Sequence, residues 1–273
     1  MNEIIMALTS YDFITRAFVS GALIAVCAAL LGVTLVLKRF SMIGDGLSHI
    51  GFGALSFASV MGLAPLKVAV PVVALCAVIL LKLSGRRMKG DSLIAVISTG
   101  ALAVGIALIS SSGSSADINS YLIGSMYAVS DSDLILAIVL SIVVVAGFAL
   151  LYTRIFSVTF DESFAGATGV GVDTCNTAIA VLTAITVVIG MRLMGSLLIS
   201  ALIVFPTLCA MRLFKSFLAV TISAVALGLI NFLIGFMITL ICDSIPTGAC
   251  VTLVNLAVFA IFTIISVLRD RMH

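Results

Sequence analysis

The run ITRAFVSGALIAVCAALLGVTLVL, which covers residues 14–37, decides the fold class. It contains a single charged residue, Arg16, and it is followed at once by Lys38 and Arg39. A helix needs about 20 mainly apolar residues to cross the hydrocarbon core of a bilayer, and basic residues are typical of its cytoplasmic end. The run is too long to be the apolar core of a cleavable signal peptide. It therefore predicts a transmembrane helix.

The rest of the chain has the same character. Of its 273 residues, 62% are hydrophobic and 10% are charged, whereas a soluble domain carries about 25% charged residues. Uninterrupted apolar runs also exclude a membrane barrel, whose strands alternate apolar and polar residues over about 10 positions. We predict an all-α, polytopic helical bundle that forms a single membrane domain over residues 1–273, with eight or nine spans. Nine apolar segments lie near residues 14–37, 42–60, 66–84, 92–112, 133–153, 174–191, 195–211, 216–241 and 249–268.

The basic residues predict the orientation in the membrane. If successive segments alternate sides, 11 of the 14 Lys and Arg residues fall on one side, which the positive-inside rule assigns to the cytoplasm. We therefore expect a multi-pass protein of the inner, cytoplasmic membrane, with its C-terminus in the cytoplasm and Glu3 and Asp12 outside. The net charge is only +2 and the basic residues are scattered, so nucleic acid is not an expected partner.

Two connections are longer than a turn. The outer one, Ser111 to Asp133, mixes apolar and small residues and is compatible with a short helix at the outer surface. The inner one, Thr153 to Thr174, is the largest cytoplasmic feature. Its glycines do not form a nucleotide loop, and nowhere does the chain contain GxxxxGK followed by Ser or Thr. We conclude that the chain is not an enzyme and cannot hydrolyse ATP alone.

The six cysteines lie mostly inside apolar segments and show no CxxC spacing, so we interpret them as small apolar packing residues. Cys242 and Cys250 flank a predicted outer loop and form the one pair that merits a test for a disulfide. In that loop, Pro246 and Gly248 precede the last segment and indicate either an ordinary turn or a broken helix.

Asp45 and His49 are the residues most at odds with an apolar segment. If Arg39 marks the inner interface, Asp45 lies about 9 Å and His49 about 15 Å into a core about 30 Å thick. A spacing of four residues puts both side chains on one face of a helix. Carboxylate oxygen and imidazole nitrogen suit Zn²⁺, Mn²⁺ or Fe²⁺ rather than Cu⁺, which prefers sulfur. All three of these metals accept the same donors.

Two ligands are too few for a metal site, and two interpretations remain open. In a symmetric dimer with this helix at its axis, two copies supply four ligands, and Gly46, Gly51 and Gly53 let the helices approach. In the other interpretation, Asp45 and His49 neutralise each other inside one bundle, as in a proton relay. Ser48 is either a partner of this pair or a donor to its own backbone.

Several stretches in order along the chain carry a resemblance to a known family: LKR at 37–39, SMIGDGLSH at 41–49, SYLIGS at 120–125, FDESFA at 160–165 with Gly169, GSLLISALIVFP at 195–206 and PTGA at 246–249. In these stretches the chain resembles the permease subunits of bacterial ATP-binding-cassette importers for zinc, manganese and iron. The resemblance implies the fold of type II importer permeases, a homodimer, two cytoplasmic ATPase subunits and an extracytoplasmic metal-binding protein. The chain departs from the family pattern at Gly46, where Ala is frequent, and at Gly166, where a longer side chain is usual.

The resemblance also implies roles for individual residues. Asp45 and His49 would bind the transported metal, and no cofactor would be bound permanently because ATP is used by the partner subunit. The segment that couples the permease to the ATPase would contain Asp161, Glu162, Phe164, Ala165 and Gly169. Because acidic residues favour the positive end of a helix, we expect Asp161 and Glu162 in the first turn of a short helix. The transport mechanism would be alternating access.

Three alternatives are weighed against this function. A permease for a metal chelate or a cobalamin-like cargo shares the architecture but does not need Asp45 and His49. A secondary transporter driven by protons or sodium needs no segment that docks an ATPase. An intramembrane enzyme has little support, because the chain has no HExxH motif and its second histidine is the last residue.

Overall fold

The computed structural model describes residues 12–83, 90–112, 124, 129–242 and 245–272. Each of the nine apolar segments corresponds to a helix, and a short additional helix lies in the inner connection. In chain order the helices are α1 (Asp12–Leu37), α2 (Ile43–Val60), α3 (Pro65–Leu83), α4 (Gly90–Ser112), α5 (Asp131–Phe160), α6 (Glu162–Ala167), α7 (Val172–Met194), α8 (Ser196–Leu213), α9 (Phe217–Ile241) and α10 (Thr247–Met272).

Eight of the described helices are long and apolar enough to cross a membrane, and α2 and α6 are the two that are not. Helix α2 has 18 residues, including Asp45, His49 and four glycines, which lower its hydropathy. It does not need an apolar surface, because most of it is buried among α3, α4, α7 and α8. The prediction of an all-α, polytopic bundle is confirmed.

Helix α1 lies at the centre of the bundle. It packs against α5, α7, α8 and α9, and 78% of its most apolar window is buried. Small residues on α1 allow these helices to approach closely: a side chain at Gly32 would collide with the backbone carbonyl of Ile203 on α8. Helices α3, α4 and α10 lie at the periphery, where their windows are 22%, 22% and 11% buried.

Helix α5 is longer than its apolar segment. The segment ends near residue 153, but the helix continues to Phe160, so the inner connection reduces to Asp161, α6 and residues 168–171. The extension is stabilised by aromatic contacts with α9, because the rings of Phe156 and Phe160 lie 5.5 and 6.0 Å from the ring of Phe217. Apolar segment length underestimates a helix that continues beyond its most hydrophobic stretch.

Ion pairs identify the two ends of the bundle. Arg16 lies 3.0 Å from Asp131 and Arg192 lies 3.3 Å from Asp133, so the start of α1, the start of α5 and the end of α7 share one end. Lys38, which follows α1, pairs with Glu162 at the opposite end. This arrangement agrees with the alternation of segments that the sequence predicts.

The loops at the first of these ends are described in part. The short helix predicted within the outer connection lies outside the described residues, apart from Gly124, Val129 and Ser130. Gly124 has a φ of +84°, and its Cα lies so close to the backbone of Met194 and Gly195 that no side chain fits there. Helix α10 runs unbroken from Thr247, so Pro246 precedes the helix and does not interrupt it.

The candidate disulfide between Cys242 and Cys250 is not formed. Cys242 is exposed and Cys250 is buried, and both are free thiols.

Candidate functional site

Asp45 and His49 lie one turn apart at the start of α2. The Nε2 atom of His49 is 3.4 Å from the Oδ2 atom of Asp45, so the two side chains point in the same direction. Asp45 is in the first turn of the helix, where no side chain caps the N-terminus. A carboxylate is favoured there because the backbone N–H groups of that turn carry partial positive charge. The predicted juxtaposition is confirmed by this geometry.

The Asp45 and His49 side chains form an open strip on a helix that is otherwise largely buried. Thirteen of the 18 residues of α2 are buried, whereas the Asp45 side chain is 52% exposed and the His49 side chain 24%. A charged side chain that faces lipid costs about 2.5 kcal/mol or more. In the membrane, this strip therefore requires a polar cover or a water-filled pathway.

The glycines of α2 have a different role from the predicted one. Gly46 lies against Ile94 and Gly53 against the backbone carbonyl of Ala101, both on α4, and Gly51 lies against Met191 on α7. They allow helices of the same chain to pack, so their predicted placement between two copies is wrong. A methyl group at Gly46 would collide with the Ile94 side chain, so Ala does not fit at this position unless Ile94 shifts.

Two serines differ in their relation to Asp45. The Ser48 hydroxyl donates to the backbone carbonyl of Asp45 over 2.7 Å. Of the two roles predicted for Ser48, it therefore has that of a donor to its own helix backbone. The Ser200 side chain on α8 approaches the Asp45 carboxylate. Sequence reasoning did not identify Ser200 as part of the site, although it lies within the GSLLISALIVFP stretch.

The described residues of a single chain do not complete a metal site. No group of three or more His, Cys, Asp or Glu residues that could hold a metal ion occurs in the described part of the chain. Asp45 and His49 together provide one oxygen ligand and one nitrogen ligand, and structural or catalytic metal sites in proteins need at least three. Any metal site built on this strip must take further ligands from elsewhere.

The predicted coupling segment forms helix α6, and its first turn has the predicted acidic residues. Asp161 is the N-cap, and its Oδ1 atom accepts a hydrogen bond from the Phe164 N–H over 2.9 Å. Glu162 is the first helical residue. At the other end, Gly169 has a φ of +83°, and the N–H groups of Gly169 and Val170 donate to the carbonyls of Gly166 and Ala165. This is a Schellman motif, which explains the glycine at position 169.

Glu162 is held by two side chains, one just after α1 and one on α7. Its Oε1 atom accepts from Lys38 Nζ over 2.8 Å and from Asn176 Nδ2 over 3.1 Å. Partial burial raises the pKa of Glu162, but the two hydrogen bonds and the positive charge of Lys38 outweigh burial and hold the pKa below its ordinary value. Glu162 is therefore ionised at neutral pH, and it attaches α6 to the ends of α1 and α7.

Two adjacent apolar residues of α6 differ in exposure. Ala165 is buried, whereas Phe164 is 63% exposed. Gly166 has room for a side chain, since an added Cβ would meet only Val172 at 3.8 Å. A six-residue helix is too short to be stable alone, so its caps, Ala165 and Glu162 must hold it in place. The structure thus presents an aromatic ring on a preformed helix.

The comparisons with known proteins cover almost the whole chain. Residues 10–266 match the model of the ABC 3 transport family. A protein of Treponema pallidum named "Probable metal transport system membrane protein" is 30% identical over 87% of this chain and 90% of its own length. The manganese import system permease protein ScaB of Streptococcus gordonii is 26% identical over 96% of this chain and 94% of its own.

A solved structure agrees with the architecture. The structure described as PsaBC from Streptococcus pneumoniae in complex with Fab contains a chain that superposes with a TM-score of 0.85, covering 96% of this chain and 94% of that one at 24% identity. At that level of identity, the likeness establishes the fold.

Proposed function

The chain belongs to the ABC 3 transport family, and we propose that it is the permease of an ATP-driven importer that moves zinc, manganese or iron by alternating access. It is a multi-pass inner-membrane protein and a transport component, and ATP hydrolysis belongs to a partner subunit. Relatives named for metal and manganese transport support a metal ion as the cargo. They do not support a chelate, a cobalamin-like molecule or proton-coupled transport.

The observation that carries the proposal is the exposed strip on α2. Its two side chains are 3.4 Å apart, and they are an oxygen donor and a nitrogen donor. This donor set suits Zn²⁺, Mn²⁺ and Fe²⁺. A resident metal would be enclosed by three or four ligands of one chain, whereas an open pair on the surface of the bundle suits an ion that arrives and leaves.

A homodimer would complete the site and cover it. If two copies meet with their α2 strips facing each other, the axis of the dimer receives two carboxylates and two imidazoles. Four ligands suffice for Zn²⁺, and water can complete the larger coordination shell of Mn²⁺ or Fe²⁺. The same contact removes the charged strip from lipid, which gives a physical reason for dimerisation in the membrane.

Helix α6 is the proposed docking site for the ATPase subunit. Its exposed Phe164 ring is suited to a groove on a soluble partner, as an aromatic anchor at the centre of an interface. Asp161, Glu162, Ala165 and Gly169 would then hold the helix in place and not touch the nucleotide. An extracytoplasmic metal-binding protein would deliver the ion at the opposite end of the bundle.

The orientation is tested with two single cysteines. Ser163 on α6 and Ser132 at the start of α5 are both exposed and lie at opposite ends of the bundle. Both variants are made in a Cys242→Ser background, because Cys242 is itself an exposed thiol. With the C-terminus in the cytoplasm, a membrane-impermeant thiol reagent added to intact cells should label Ser132→Cys and not Ser163→Cys. The reverse pattern would overturn the orientation.

Transport itself is tested with the complete importer. The permease, its ATPase and its binding protein are reconstituted in liposomes, and uptake of radioactive zinc, manganese and iron is measured with and without ATP. We expect ATP-dependent uptake of at least one of the three metals. Uptake that continues without ATP and follows a proton gradient would reject the proposal in favour of a secondary transporter.

A further inference from the structure

We propose that Lys38 is a positioning residue that links the ATPase-docking helix α6 to α2, the helix that carries Asp45 and His49. This inference rests on the proposed function, because it assumes that α6 moves with the ATPase. It adds the element through which that movement reaches the metal ligands.

The ammonium group of Lys38 joins three parts of the chain. Its side chain is only 7% exposed, and Nζ donates to the Oε1 atom of Glu162 over 2.8 Å and to the Oδ1 atom of Asn176. Asn176 in turn donates to the same Glu162 oxygen over 3.1 Å. The end of α1, the first turn of α6 and the first turns of α7 therefore meet at one buried cation, and each polar group has a partner.

The turn after Lys38 connects this cation to α2. The N–H groups of Arg39 and Phe40 donate to the carbonyls of Val36 and Leu35 over 3.0 and 2.8 Å, which closes α1 in a Schellman motif. The Ile43 N–H then donates to the Phe40 carbonyl over 3.1 Å as α2 begins. A turn held at each step by hydrogen bonds has few internal degrees of freedom, so a displacement of Lys38 displaces the start of α2.

Arg39 has an unusual conformation within this turn. Its φ is +64°, and it is the one non-glycine residue with a positive φ in the described ranges. This region is unfavourable for a side chain with a Cβ, and such conformations persist only where the surrounding structure holds them. Arg39 is the left-handed residue of this Schellman motif, so the hydrogen bonds that close α1 also hold Arg39 in its conformation and keep the turn between Lys38 and α2 rigid.

Lys38 also bridges a gap in helix packing. Helix α6 packs against α5 and α7, and its packing against α1 and α2 is not extensive. A second route from α6 to α2 exists through α7, which packs against both. The proposal is therefore that the ion pair, and not only the packing of α7, transmits the movement.

The test uses the assembled importer in liposomes, with ATP hydrolysis and metal uptake measured in the same preparation. Lys38→Met keeps an unbranched side chain and removes the charge. We expect the ATPase to remain bound and to hydrolyse ATP, while the metal moved per ATP falls about tenfold. Lys82→Met is the matched control, because Lys82 is an exposed lysine at the end of α3. In this variant the amount of metal moved per ATP should be unchanged.

Rescue distinguishes a positioning role from a merely structural one. Lys38→Glu combined with Glu162→Lys restores an ion pair of opposite polarity, and it should recover most of the uptake per ATP that each single variant loses. A normal uptake of metal per ATP in Lys38→Met would overturn the proposal. So would a double variant whose uptake per ATP is no higher than that of either single variant.

The docking role of α6 and the linking role of Lys38 can be rejected separately. If Phe164→Ala leaves the ATPase bound with normal coupled transport, the docking site is wrong and the link through Lys38 loses its basis. If Phe164→Ala releases the ATPase while Lys38→Met couples normally, docking stands and the link alone is rejected.

Discussion

Helices α2 and α6 are stabilised in opposite ways. Helix α2 has 13 buried residues of 18 and no side-chain cap at its N-terminus, so packing against neighbouring helices holds it. Helix α6 has six residues, of which Ala165 alone is buried, and hydrogen-bonded motifs close both of its ends. The first needs the interior of the bundle, and the second needs the caps that its own sequence supplies.

Each of these helices also leaves one feature that a single chain does not satisfy. On α2 it is the polar pair Asp45 and His49 within a membrane helix, and on α6 it is the apolar ring of Phe164 outside the spans. A polar surface in lipid and an apolar surface in water are both unfavourable, for opposite reasons. These two features are the ones that the proposed partners would cover: a second copy of the chain for α2 and the ATPase subunit for α6.

Removing a ligand from α2 should have the largest effect. In a two-fold site, Asp45→Ala or His49→Ala removes two of the four ligands, so we expect uptake to fall more than about 100-fold. The complex should still assemble, because both side chains lie on the open strip. Radioactive metal uptake and copurification measure the two properties. Asp131→Ala is the control, since that carboxylate is 84% exposed and far from the strip. Metal uptake at the wild-type level by Asp45→Ala would refute the proposed metal site.

Truncating the exposed ring of α6 should have the next largest effect. Phe164→Ala should weaken binding of the ATPase about 30-fold, the equivalent of about 2 kcal/mol for an aromatic anchor. The preference among metals should not change, because the ring lies far from Asp45. Copurification at graded salt and detergent concentrations measures the affinity. The control is Phe13→Ala, which removes an exposed ring at the start of α1, at the end of the bundle opposite to α6. This change should have no effect on ATPase binding.

Two glycine substitutions test whether packing holds α2. A methyl group at Gly53 would lie 2.6 Å from the Ala101 carbonyl oxygen, so Gly53→Ala should lower the free energy of unfolding by about 1 to 3 kcal/mol. Gly100, on the facing helix α4, has nothing within 4 Å, so Gly100→Ala should raise it by up to about 1 kcal/mol. Thermal unfolding in detergent compares them, and equal midpoints would contradict the close packing of α2 on α4.

The smallest expected effect concerns the attachment of α6. Glu162→Gln should lower the free energy of unfolding at pH 7 by less than about 1 kcal/mol, because the carboxylate is largely exposed. Since the pKa of Glu162 is lowered in the folded protein, its contribution is complete above the ordinary value of 4.5 and is lost as the pH falls through the folded value. The difference in unfolding midpoint between wild type and variant should therefore be constant from pH 8 to pH 5 and vanish below. A difference that grows as the pH falls would contradict this assignment.

Much of the fold and part of the site follow from local patterns. The nine apolar segments correspond to nine helices, and the Asp161-Glu162 pair correctly marks the start of α6. The one-turn spacing of Asp45 and His49 correctly predicts that their side chains meet. Each of these inferences depends on residues less than two helical turns apart, or on hydropathy summed over one segment, and both are properties that neighbouring residues decide.

Inferences that depended on distant residues were wrong or were not made. The extension of α5 to Phe160 depends on the ring of Phe217 on α9. The direction in which Gly46 and Gly53 face depends on α4, and the approach of Ser200 to Asp45 depends on how α8 lies beside α2. A single sequence contains no signal that pairs such residues.

The sequence by itself determined the class of the protein, the helices and the residues with metal-binding chemistry, because apolar length, capping residues and an i, i+4 spacing act over short distances. Only the tertiary structure decided that the glycines of α2 face the interior of the bundle while Asp45 and His49 face outward. It alone also decided that Lys38 meets Glu162, 124 residues further along the chain. The physical reason is that a helix can turn any of its faces toward the bundle, and the face it buries is chosen by the fit of all its neighbours together.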